Sequence, residues 1–166
     1  MKNIVLTGFM GTGKSEVARE LSRLSGLRLI DIDREIESSQ QRTISDIFRQ
    51  DGEEYFRQIE TAAIVHFSAI EGAIISTGGG AVLKEENLQA LRVNGTIFCL
   101  TASPETILER TEGDTDRPLL PSEDRLEKIA ELLASRRPFY ERSGVMIDTE
   151  GKTPLEIAYE IMGNMA

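Results

Sequence analysis

Gly8-Phe9-Met10-Gly11-Thr12-Gly13-Lys14-Ser15 matches the spacing G-x-x-x-x-G-K-[ST], and few folds can carry such a run in this setting. The residues before it, IVLT, read as a buried strand. The residues after it, EVARELSRLSG, place Val17, Leu21 and Leu24 on one side of an amphipathic helix. A strand, a glycine-rich turn and a helix opening at the turn are what a phosphate-binding loop requires. Chance supplies the octapeptide in roughly one of 150 chains of this length, so the context and the match together decide the reading against a plain glycine turn. Glycines allow close backbone approach, and successive N–H groups at the helix start can surround a polyphosphate. This assigns Gly11, Thr12, Gly13, Lys14 and Ser15 to nucleotide binding. Lys14 is the candidate bridge between the β- and γ-phosphates and Ser15 the candidate Mg²⁺ ligand.

The rest of the chain repeats the strand-then-helix alternation. Apolar runs rich in Val, Ile and Leu lie at Asn3 to Thr7, Leu27 to Asp31, Ala73 to Ser76, Thr96 to Thr101 and Val145 to Ile147, separated by stretches with helical spacing. Strands with so little polar alternation need cover on both faces, which predicts a parallel sheet between helices. Ser103-Pro104 and Thr153-Pro154-Leu155-Glu156 mark two helix starts. TEGDTDRPLLPS, residues 111 to 122, fits neither period and is expected to be a long loop acting as a lid. At 166 residues, with no linker or repeat, the chain is expected to form one domain.

Charge and cysteine content exclude other classes. The net charge is -9, yet residues 1 to 30 carry five positive and two negative side chains. An acidic whole argues against non-specific nucleic-acid binding, so anionic ligands must be held at local sites. A single cysteine, Cys99, argues against a disulfide framework and reads as a small core residue. No membrane-length apolar run is present, and a cytoplasmic protein is expected. His66 reads as a partly buried structural histidine among Ile59, Ala62, Ala63 and Ile70.

With LIDID at 29 to 33, three glycines at 78 to 80 and DRPLL at 116 to 120 following the phosphate loop in order, the chain resembles the shikimate kinases over nearly its whole length. The resemblance implies a P-loop kinase of the nucleoside-monophosphate-kinase type: an α/β fold whose five-stranded parallel sheet, in the order 2-3-1-4-5, is flanked by helices and served by a mobile lid. It further implies transfer of the γ-phosphoryl of ATP, with Mg²⁺, to the 3-hydroxyl of shikimate, by a monomer without nucleic-acid or membrane partners. Asp31 becomes a Mg²⁺ ligand. Asp33 becomes the residue that binds and orients the acceptor hydroxyl and can take its proton; helix capping is the alternative for both aspartates. Gly78, Gly79 and Gly80 join the acceptor site, where a run of glycines permits a backbone nest. Arg57 and Arg136 match the two arginines that hold the shikimate carboxylate, with Arg137 an alternative to Arg136. The rival for these arginines is ion pairing with Glu54 or Glu141. Arg110 and the GKTP segment containing Lys152 correspond to the walls around adenine, although Arg110 could instead cap its own helix. Arg117 corresponds to the lid arginine that closes on the transferring phosphate. Two positions depart from the family pattern: Glu16 where a small hydroxyl residue is frequent, and Ala18 where glycine is. The competing functions are another small-molecule kinase, for gluconate or a nucleotide, and a nucleotide-binding regulator without turnover.

Overall fold

The computed structural model describes residues 1–112 and 124–165, so Arg117 and most of the expected lid lie outside the described residues. Five strands run in the sequence β1 (Asn3–Gly8), β2 (Arg28–Asp31), β3 (Ala73–Ser76), β4 (Gly95–Thr101) and β5 (Val145–Asp148). All are paired in parallel in the order β2-β3-β1-β4-β5, the order that the resemblance implied. The central strand β1 is buried along its full length because alternate side chains enter two different cores. Val5 packs on one side with Ile75, Ile97 and Cys99, whereas Ile4 and Leu6 pack on the other with Ile74, Phe98 and Leu100.

Helices cover both faces. On the Leu6 side lie α1 (Lys14–Ser25) and α7 (Pro154–Met165), joined through Val17, Ala18, Leu21, Ile157, Ala158 and Ile161. Ala18 is fully buried there, and Glu16 is exposed and paired with Arg19, so neither departure from the family pattern disturbs the loop that precedes them. On the Val5 side lie α2 (Ile32–Gln40), α3 (Ile44–Ser68), α4 (Glu85–Asn94), α5 (Pro104–Thr111) and α6 (Arg125–Ser143). Both expected helix starts carry their caps: Thr106 N–H donates to Ser103 Oγ at 3.2 Å, and Thr153 and Glu156 exchange bonds across the first turn of α7.

α3 is two helices end to end. Gly52 sits at φ 85°, ψ 172°, with open space around the position of a Cβ, so glycine is required there for conformation alone. The break lets the second half, from Glu53 onward, turn Arg57 and Glu60 toward the sheet edge. His66 is exposed, edge-on to Phe67, and not partly buried as expected: its turn of α3 faces outward while Ile64 faces the core. Cys99 is fully buried, as expected of a small core residue.

Candidate active site

The loops after β1, β2 and β3 converge at the carboxyl edge of the sheet, where parallel strands leave a crevice. A cleft of about 560 Å³ opens there, walled by the phosphate loop from Met10 to Val17, by Asp31 and Asp33, by Ser76 to Gly79, and by Arg110 and Lys152.

One end is built for an anion. Gly11 and Gly13 adopt φ 76° and 89°, the left-handed region, and Gly13 is the N-cap of α1 without a side-chain hydrogen bond to the helix. The first N–H groups of α1 therefore face the cleft with the positive end of the helix dipole. Lys14 Nζ donates to the carbonyls of Gly8 (2.8 Å) and Phe9 (2.9 Å), bracing the loop from within. Thr12 Oγ1 donates to Phe9 O at 2.8 Å and closes the turn. Ser15 lies on the same wall.

Arg110, at the end of α5, reaches across rather than capping its own helix: Nη1 donates to Thr149 Oγ1 (3.1 Å) and Gly11 O (3.4 Å). It ties the phosphate loop to the turn after β5, where Lys152 pairs with Glu160 at 2.7 Å. The two residues expected around adenine thus border one opening.

At the other end, Asp31 and Asp33 behave differently although they are two residues apart. Asp31 accepts the Arg34 N–H at 3.2 Å and caps α2, so the capping alternative holds for it while it also lines the cleft. The Asp33 carboxyl is enclosed, and its Oδ1 is a buried atom without a hydrogen-bond partner among the described residues. Burial first, then the neighbouring Glu60, Asp31 and Glu37 carboxylates, push its pKa up to about 7 against the pull of Lys14.

Arg57 is mostly buried and pairs with Glu60 at 2.8 Å and Glu53 at 3.3 Å. The ion-pair alternatives Glu54 and Glu141 are not its partners; Glu141 pairs with exposed Arg137 at 2.6 Å. Arg136 is 5% exposed, its guanidinium 5.9 Å from the centre of the Phe9 ring, whereas Arg137 points to solvent. The structure thereby separates the two adjacent arginines. Neither Arg57 nor Arg136 lines the cleft itself; Arg57 packs against Gly80, next to the Gly78 and Gly79 that do.

Gly78 and Gly79 line the cleft and Gly80 does not, and the expected reason for the run is corrected. None of Gly78, Gly79 and Gly80 has a positive φ, so the expected backbone nest is not what demands glycine. Space does. A Cβ on Gly78 would lie 3.0 Å from Asp33 Oδ1 and 3.2 Å from Glu60 Oε2, one on Gly79 3.2 Å from Met10 N, and one on Gly80 would strike the Arg57 guanidinium. The three residues thread between the phosphate loop and the buried charges.

Sequence reasoning missed Glu60 and Tyr140. Glu60 is fully buried, with burial raising its pKa and Arg57 opposing the rise; its spacing from Arg57 is that of countless solvated helix pairs, so no local signal marks it. Tyr140 donates its O–H to Gly79 O at 2.7 Å, one helical turn beyond Arg136.

The shikimate kinase family profile matches residues 10–166. The shikimate kinase of Thermodesulfovibrio yellowstonii is 46% identical over 162 residues, covering 98% of this chain and 94% of that one. The chain belongs to the shikimate kinase family. A second member of this shikimate kinase family, from Persephonella marina, is 42% identical over 165 residues, 99% of each chain. The solved shikimate kinase of Acinetobacter baumannii, in complex with shikimate, superposes with a TM-score of 0.95 at 34% identity, covering 99% of this chain and 93% of that one.

Proposed function

We propose that the chain transfers the γ-phosphoryl group of ATP to the 3-hydroxyl of shikimate, giving shikimate 3-phosphate and ADP. The observation that carries this reading is one crevice with a phosphate loop at one end and, at the other, the enclosed Asp33 carboxyl beside Gly78 and Gly79, with the Arg57 guanidinium packed against Gly80 next in the chain. Kinship with shikimate kinases at 42% to 46% identity favours shikimate over gluconate or a nucleotide as acceptor, and turnover over a regulatory role.

In this reading Gly11, Thr12, Gly13, Lys14 and Ser15 hold the ATP phosphates, and Arg110 and Lys152 border the adenine. Arg57 and Arg136 supply two guanidinium forks suited to a planar carboxylate. Asp33 accepts the hydroxyl proton as the oxygen attacks the γ-phosphorus and the bond to the β-bridging oxygen breaks. A loose transition state demands little of a base, so orientation is the larger part of its task. Arg117, outside the described residues, is assigned to the phosphate side of a lid at about 111 to 122 within a single domain spanning residues 1 to 166.

The donor set also fits Mg²⁺. No cluster of three or more His, Cys, Asp or Glu side chains suited to a metal occurs among the described residues, but Ser15 and Asp31 share the cleft wall. A hard dication that keeps waters and takes phosphate oxygens needs only such a pair, and when bound it would offset charge on the β- and γ-phosphates. No helix among the described residues is long and apolar enough to cross a membrane. A monomer in the cytoplasm completes the proposal.

ADP release measured with shikimate, gluconate and nucleoside monophosphates, each with and without Mg²⁺, tests the reading; turnover confined to another acceptor overturns it. Arg57→Ala is expected to weaken shikimate binding by about 10²-fold while ATP affinity stays within about twofold, since breaking a buried charge-assisted pair costs about 2 to 5 kcal/mol. Because the change also strands Glu60, the double variant Arg57→Ala, Glu60→Gln serves as the folded control. Loss of ATP affinity with intact shikimate affinity in that variant would remove Arg57 from the acceptor site. Gly80→Ala should raise the shikimate KM about tenfold with little loss of thermal stability. At φ −95°, ψ 0° its backbone accepts alanine, and the nearest atoms that must yield belong to the Arg57 guanidinium. Unchanged shikimate KM would show that Arg57 moves aside without consequence.

A further inference from the structure

Between α6 and the glycine run lies a buried hydrogen bond, from Tyr140 to Gly79, to which the proposed reaction assigns no part. Arg136 and Tyr140 stand one turn apart on the same face of α6, both buried, at 5% and 4% exposure. The Tyr140 O–H donates to Gly79 O at 2.7 Å, and the Arg136 guanidinium, one turn earlier on the same face, is close enough for its charge to act on the phenol. On its other side Arg136 lies over the Phe9 ring, within the range of a cation–π contact. Gly79 in turn packs on the backbone of Met10, where a Cβ would lie 3.2 Å from the Met10 nitrogen.

We propose that Tyr140 is a positioning residue for the acceptor: its hydroxyl fixes the Arg136 guanidinium and the Gly79 carbonyl in one geometry, and so sets shikimate affinity without touching the reacting atoms. Resting on the assignment of Arg136 to the shikimate carboxylate, it adds how that arginine is held. An arginine side chain has many rotamers, and aiming its fork at a carboxylate costs entropy unless neighbours fix it beforehand. The phenol is suited to this because its proton is committed to Gly79 O, which turns an oxygen lone pair toward the neighbouring guanidinium. Burial pushes its pKa up to about 12, so the donor proton stays in place across the working range. The Tyr140 bond is the described hydrogen bond from this stretch of α6 to the glycine run.

Tyr140→Phe removes only the hydroxyl and keeps the ring that fills the core. Shikimate KM and the shikimate dissociation constant are expected to rise about tenfold, while kcat and ATP affinity stay within about twofold. In an Arg136→Ala background the same change should add less than a further twofold, because the arginine through which the hydroxyl acts is gone. Calorimetric titration and steady-state kinetics on the full chain read both. A Tyr140→Phe variant that binds shikimate like the parent overturns the proposal, as does a tenfold effect that persists undiminished without Arg136. Equal losses in kcat and in both affinities, accompanied by a lower Tm, also overturn it, because they describe a structural residue alone. If the parent itself fails to bind shikimate, the acceptor assignment falls and this inference with it; parent binding that Tyr140→Phe leaves unaltered removes only Tyr140.

Discussion

Lys14→Ala is expected to lower shikimate-dependent turnover by on the order of 10³-fold or more, measured as the single-turnover rate at saturating ATP, Mg²⁺ and shikimate. Two losses combine. In the proposed reaction the ammonium is the fixed positive charge nearest the β- and γ-phosphates, and deleting one preorganised donor of this kind alone costs about 10² to 10³ in rate. The same nitrogen also bonds the carbonyls of Gly8 and Phe9, at 2.8 and 2.9 Å. Removing it frees two carbonyl oxygens in a loop whose N–H groups must all face one way, so the remaining donors are less well aimed. ATP affinity should fall as well, but by less than the rate, since part of the charge interaction grows only as the phosphoryl group departs. A Lys14→Ala protein that turns over shikimate at near the parent rate would end the phosphate-loop assignment, and with it the kinase reading.

Asp33→Asn is expected to cost about 10²-fold or more in kcat and at the same time to stabilise the protein above neutral pH. The activity loss follows from removing the group that orients the acceptor and takes its proton. The stability gain follows from linkage. The folded Asp33 carboxyl titrates at about 7, well above the ordinary 3.8, because it is buried beside other carboxylates. Between those two values the folded state holds a proton that the unfolded chain has released. Stability contributed by this group is therefore complete below about pH 4 and is lost as pH rises through 7. Asparagine stays neutral and escapes that loss. Thermal unfolding without Mg²⁺ or ligands should show the variant more stable by on the order of 4 kcal/mol at pH 8, with the difference vanishing near pH 4. Parent kcat/KM for shikimate should correspondingly rise between about pH 6 and pH 8 as Asp33 ionises. If the two proteins unfold alike at every pH, Asp33 is an ordinary solvated carboxylate and its place in the acceptor site is lost.

The pairing of lost activity with gained stability has a physical origin in the glycine run. Gly78 brings the chain so close to Asp33 and Glu60 that a Cβ would lie 3.0 and 3.2 Å from their oxygens. Two buried carboxyl oxygens, Asp33 Oδ1 and Glu60 Oε2, are left without partners among the described residues. Such groups destabilise a fold that must bury them, and Asp33, which lines the cleft, is one that a polyhydroxylated acceptor can satisfy.

Local sequence determined the elements and one half of the crevice. The phosphate loop was legible because its function depends on backbone: glycines at fixed intervals, a strand before and a helix after write the geometry into eight consecutive residues. The five strands were legible because apolar runs without alternation must be covered on both faces, and the caps at Ser103 and Thr153 because they satisfy their own helices. Asp33, Arg57, Arg136 and the three glycines could be pointed to only by resemblance, since an aspartate pair or a helical arginine is by itself ordinary. What only the tertiary structure decided is which charges are buried and what they face. It separated Arg136 from Arg137, exposed His66, gave Arg57 to Glu60 instead of Glu54 or Glu141, and set Tyr140 against Gly79. Those outcomes depend on which helix faces are buried where distant segments meet, Tyr140 and Gly79 being 61 positions apart, and long-range desolvation of this kind leaves no periodicity in the chain.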